Sequence, residues 1–80
     1  MNKSVKYSRK EKLKKIIVIG REVLLPFEEE GIIVDYLNLI WGFPYIVEIT
    51  NGGVFNDIGE VREFKREEII FKNKKLEKMI

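Results

Sequence analysis

The sequence predicts a mainly β domain, a small barrel of five antiparallel strands with short basic extensions at both ends. Three observations carry this. Alanine, the best intrinsic helix former, is absent from all 80 residues, whereas isoleucine occurs twelve times and valine is also frequent. β-Branched side chains suit pleated, half-buried strands. The apolar runs are short and are broken at close intervals by Gly, Pro and Asn, which leaves no room for the crossover helices of a parallel sheet.

Taken in order, residues 1–7 read as disordered. Ser8-Arg9-Lys10-Glu11 has the capping-box pattern, in which serine accepts from the amide three residues on and glutamate reaches back. Leu13, Ile16 and Ile17 then share one helical stripe, so a helix is expected over about residues 9 to 15. The β-branched run Ile16 to Ile19 then favours extended chain.

Arg21 to Leu25 reads as the first strand, stopped by Pro26, which cannot donate to a ladder. Pro26 to Gly31 is a loop, and Glu28-Glu29-Glu30 within it reads as solvated. Ile32 to Tyr36 is the second strand, and Leu37 to Pro44 is an apolar connector. Tyr45 to Thr50 is the clearest strand, with Tyr45, Val47 and Ile49 on one face and Glu48 and Thr50 on the other. Asn51-Gly52-Gly53 turns the chain, because Asn and Gly tolerate positive φ. Glu60 to Phe64 and Ile69 to Phe71 are the last strands, separated by a tight turn, and Asn73 caps a terminal helix. The expected core is Val23, Ile33, Val47, Ile49, Val61 and Phe64, joined by Tyr45 and Phe71.

The pattern of residues 21–71 resembles an SH3-like small β-barrel of the KOW or Tudor type. Gly31 leads the second strand into Ile32-Ile33-Val34. Tyr45, Val47 and Ile49 match the central strand. Phe64, followed by Glu67, Glu68 and Ile69, matches the short turn before the closing strand. The resemblance implies a five-stranded SH3-like fold over residues 16–71, flanked by basic extensions at 1–15 and 72–80. Such barrels host many unrelated roles, among them small accessory proteins of bacteria and phages.

Charge divides the chain the same way. Residues 1–15 hold seven positive charges and one negative, residues 16–71 four positive and eleven negative, and residues 72–80 four positive and one negative. An acidic body therefore lies between cationic ends, although the whole chain is only +2. Without cysteine or histidine, disulfides, thiolate metal sites and imidazole-activated nucleophiles are excluded. No cofactor or metal is expected. The lysine-rich start is followed only by Ile16 to Gly20 before Arg21. The longest uncharged run, Tyr36 to Val47, is twelve residues, against the roughly 20 of a membrane span. A cytoplasmic protein without a membrane partner is the expectation.

Two function classes follow. The first is a non-enzymatic protein-interaction module, such as a phage or mobile-element accessory protein that modulates a host protein. Its partner-binding candidates are the aromatics Tyr36, Trp41, Phe43 and Phe55, because exposed rings serve cation–π contacts and interface hot spots. Trp41 is open to two readings, an exposed contact or a cap on one end of the barrel. The alternative class is a nucleic-acid-associated module. In it Lys6, Arg9, Lys10, Lys12, Lys14 and Lys15 hold phosphates without sequence preference. The same cations are also compatible with folding back onto the acidic body, or with a solvated tail.

Overall fold

The computed structural model describes residues 9–37 and 42–80. Helix α1 (Arg9–Val18) leads into strand β1 (Glu22–Leu24). A tight turn at Pro26–Glu28 precedes β2 (Glu30–Tyr36). Strands β3 (Tyr45–Asn51) and β4 (Val61–Phe64) follow, then a 3₁₀ turn at Arg66–Glu68, β5 (Ile70–Phe71) and helix α2 (Lys74–Met79). The five strands form one antiparallel sheet in the order β4-β3-β2-β1-β5. The mainly β class and the strand count agree with the sequence. The sheet, however, is not closed into a barrel: no ladder joins β4 to β5 among the described residues, and both stand at its edges.

The longest pairing, β2 with β3, contains irregularities at Glu30/Gly31 and at Ile33/Asp35. Each local disruption of this kind bends and twists its strand. The curvature wraps one face of the sheet around a single apolar cluster. It holds Val23, Ile33, Val47, Ile49 and Phe64, together with Leu25, Tyr36, Tyr45, Ile69 and Phe71 from the sheet and its turns. The ring of Tyr45 lies 5.0 Å from that of Tyr36 and 6.3 Å from that of Phe71, centroid to centroid. Both spacings are typical of favourable tilted and edge-on aromatic pairs.

Val61 does not join this core. It pairs with Glu48, whose side chain faces solvent, and is itself 55% exposed. Directly paired residues share a face, and residues three apart on a strand do not. Phe64, paired with the buried Tyr45, therefore takes the inward face that Val61 cannot.

Helix α1 runs further than the β-branched run implied. Val18 is fully buried in the core and Ile17 packs against it, so tertiary packing overrides the weak local preference. Gly20, at φ 86°, then ends the helix in the left-handed conformation that glycine adopts without penalty. Leu13 and Ile16 of the expected stripe stay exposed, Ile16 by 73%. At the other end, Asn73 caps α2 as expected, its side chain accepting from the Leu76 amide at 3.0 Å. Leu76 closes one side of the core. No helix among the described residues is long and apolar enough to cross a membrane.

Candidate interaction surface

The most constrained surface of the molecule lies where the turn after β1 meets the loop between β3 and β4. Pro26 opens the turn with its preset φ. The next two residues, Phe27 (φ 63°) and Glu28 (φ 64°), both adopt left-handed backbone conformations. For non-glycine residues this costs on the order of 1 kcal/mol or more each, so surrounding contacts must hold them. Leu25 N donates to Glu29 O at 2.8 Å and closes the turn.

Glu29 supplies the remaining hold. Its side chain turns inward and the residue is 2% exposed. One carboxylate oxygen, Oε2, accepts from the amides of Phe55 (3.1 Å) and Asn56 (3.0 Å). The other, Oε1, accepts from Asn56 Nδ2 at 2.7 Å. The Asn56 side chain is the largest influence lowering the Glu29 pKa; removal from water opposes it, and the amides of Asn56, Phe55 and Gly53 add to it. The net direction is downward, so the carboxylate stays ionised. From Asn56 the network runs outward. Arg62 Nε donates to Asn56 Oδ1 at 3.0 Å, Arg62 pairs with Glu60 at 3.0 Å, and Glu60 accepts from the Asp57 amide at 2.6 Å.

This bracing holds two phenylalanines at the surface. The Phe27 and Phe55 rings stand 4.7 Å apart at 60°, and the residues are 67% and 62% exposed. They border a shallow cleft of about 160 Å³ with Pro26, Asn56, Phe64 and Glu68. Val54 and Ile58, on the same loop as Phe55, are also exposed. Glu68 lines the same cleft, with its Oε1 accepting from the Lys65 amide at 2.8 Å, and Glu28 and Asp57 follow Phe27 and Asn56 in the chain. Arg62, the cation nearest Asn56 in the network, is turned into it.

Of the aromatic candidates read from the sequence, Phe55 belongs to this surface. Phe43 is exposed elsewhere, with Lys65 Nζ 5.1 Å from its ring centroid, beside a separate cleft lined by Val61, Arg62 and Glu63. Tyr36 is buried against Tyr45 and offers no exposed ring, because its position in β2 turns it toward the core. Trp41 lies outside the described residues.

Among the basic candidates, Arg9 and Lys12 are exposed on α1, and Lys10 belongs to the same helix. Lys14 lies over the Tyr36 and Tyr45 rings, at 5.1 and 5.8 Å, and Lys15 pairs with Asp35 at 3.3 Å. Part of the cationic extension thus folds back onto the body. Lys6 lies outside the described residues. Phe27 and Glu29 carry the surface; Phe27 was not singled out from the sequence, and Glu29, read there as part of a solvated run, is instead buried because Asn56 and the Phe55 amide fill its oxygens. An aromatic inside a Pro- and Glu-rich loop was a usable signal for the first. Nothing distinguishes the middle glutamate of three for the second. Compared with protein-family models, curated proteins and solved structures, the chain matches none.

Proposed function

We propose that this chain is a non-enzymatic protein-interaction module that receives a cationic segment of a partner protein against the exposed faces of Phe27 and Phe55. The observation that carries the reading is the exposed ring pair, held on a strained backbone by a buried, ionised glutamate. Exposed large apolar groups in a braced, contiguous patch mark contact sites, and strained backbone clusters where function requires it. The rings attract a Lys or Arg side chain through their faces, worth about 0.5–1 kcal/mol at an exposed site and more once desolvated. Glu28, Asp57, Glu67 and Glu68 add the matching sign of charge and favour encounter with a basic segment.

The SH3-like resemblance is part of the same proposal. The 3₁₀ turn at Arg66–Glu68 supports it, because it falls where that pattern has its short turn before the closing strand. A cytoplasmic accessory protein of a phage or mobile element, acting on a host protein, fits the size and the charge layout.

Fluorescence anisotropy with labelled lysine- and arginine-rich peptides tests the reading, with glutamate-rich peptides and random duplex DNA as comparisons. The expected result is binding of the cationic peptides that weakens at least about tenfold in Phe55→Ser and falls with salt. Absence of cationic-peptide binding, or cationic-peptide binding unaffected by Phe55→Ser, overturns it.

A further inference from the structure

A second surface of opposite character lies between the two helices. Leu13, Lys14 and Ile17 of α1 face Met79 and Ile80 at the end of α2 across a cleft of about 400 Å³. Its floor is apolar: Ile17 and Ile80 pack against the core, whereas Leu13 and Met79 rise exposed on either side. Its surroundings are cationic. Arg9 stands one helical turn before Leu13, and Lys75 one turn before Met79, so each shares a face with the apolar residue that follows. Lys12 and Lys78 are exposed on the same two helices. Among the described side chains of the two helices, the acidic one, Glu77, is turned away, accepting from the Phe71 amide at 2.8 Å and pairing with Arg66 at 3.1 Å.

We infer that this cleft docks an acidic amphipathic helix of a partner protein. The apolar floor takes the aliphatic face of such a helix, at the i, i+3, i+4 and i+7 positions by which helices lie in grooves. Arg9, Lys12, Lys75 and Lys78 meet the carboxylates on its flanks. Nucleic acid would use the cations and leave the apolar floor without a partner. A membrane surface would take up the protruding Leu13 and Met79 and leave the recessed Ile17 and Ile80 without a partner. The inference does not rest on the Phe27–Phe55 cleft, which prefers the opposite charge.

The test uses the full chain and a synthetic labelled peptide with leucine along one helical face and glutamate elsewhere. A composition-matched scrambled peptide, random duplex DNA and phosphatidylglycerol-containing vesicles are the comparisons. The patterned peptide is expected to bind at least about tenfold more tightly than the scrambled one, and Leu13→Gln with Met79→Gln should erase that margin. Both positions are exposed, and the melting temperature of the double variant checks its fold. Methyl signals of Leu13, Ile17, Met79 and Ile80 in the unaltered protein should shift on titration, which gives a readout free of mutation. Phe55→Ser should leave this binding unchanged. Equal affinity for the two peptides overturns the inference, as do unmoved methyl signals. DNA or vesicle binding that exceeds peptide binding and depends on Leu13 and Met79 also overturns it.

Discussion

Glu29 and Asn56 are joined twice across 27 residues of chain: Glu29 accepts from the Asn56 amide at 3.0 Å through Oε2 and from the Asn56 side-chain nitrogen at 2.7 Å through Oε1. The pair ties the turn after β1 to the loop between β3 and β4, two segments with no ladder between them. A carboxylate can accept at both oxygens simultaneously, and a buried carboxylate is tolerated only when its lone pairs are filled. The Glu29 side chain therefore adds a tie between the two segments to the backbone bonds that close each of them.

Glu29→Gln keeps the size but replaces one acceptor by a donor, which then faces either backbone amides or the Asn56 amide group. The melting temperature at neutral pH should fall. The sign with pH follows from the lowered pKa. A carboxylate whose folded pKa is depressed contributes stability above its unfolded value, near 4.5, and loses it as pH falls through the lower folded value. The gap between the two proteins should be constant above about pH 5 and narrow in more acidic solution. Thermal melts across that range measure it, and a gap independent of pH would remove the ionised carboxylate from the account.

The strands were legible because period-two patterning is a direct print of which face is buried: Tyr45, Val47 and Ile49 alternate with Glu48 and Thr50, and both sets lie where the pattern puts them. The cap at Asn73 was legible for the same reason, being local chemistry. Val61 was misplaced because register depends on the partner strand and not on composition. Glu29 was unreadable because its burial is decided by Asn56, far away in sequence. The Phe27–Phe55 pair combines both cases: Phe55 was visible as a loop aromatic, but its neighbour was set by a left-handed turn that the residues themselves disfavour.

Gly31 is buried where β2 pairs with β3, opposite Ile49, and its requirement is closeness, not an unusual φ. A Cβ there would collide with Val47 Cγ1 and lie 2.7 Å from the carbonyl oxygen of Glu48. The second neighbour is backbone and cannot rotate aside. Overpacking of this kind typically costs about 1–3 kcal/mol. Gly31→Ala should therefore lower the urea midpoint with little change in slope, and Gly31→Val should lower it further. An unchanged midpoint in Gly31→Ala would mean that the two strands are less closely apposed.

Tyr45 is almost fully buried, and its hydroxyl has no hydrogen-bond partner among the described residues. Burial pushes its pKa up, and the neighbouring Tyr36 adds to this, to about 12 from a usual 10. Because the folded state holds the proton more tightly, this stability is complete below pH 10 and is lost as pH rises through the folded value. Two pKa units correspond to roughly 3 kcal/mol. Tyr45→Phe removes an unsatisfied hydroxyl at constant ring shape, so at pH 7 it should be neutral or stabilising by up to about 1 kcal/mol. It should also resist alkaline unfolding between pH 10 and 12. Absorbance titration of tyrosinate, beside circular dichroism, separates ionisation from unfolding; a low, early Tyr45 transition with the fold intact would contradict the burial.

Phe27 combines an exposed ring with a left-handed backbone, and the two properties make opposite demands. At φ 63° glycine relieves the steric cost of the Cβ, an effect of about 1 kcal/mol, while the unfolded chain gains entropy that offsets roughly 0.5–1 kcal/mol of it. Loss of the contact with Phe55 subtracts a little more, since both rings are largely in water. Phe27→Gly should therefore leave the midpoint of urea unfolding within about 1 kcal/mol of the parent value, yet weaken cationic-peptide binding as strongly as Phe55→Ser does. Phe27→Ala keeps the strain without the ring and should be the less stable of the two variants. If Phe27→Gly instead unfolds the domain, the ring is a structural element of the loop, and the binding role passes to Phe55 alone.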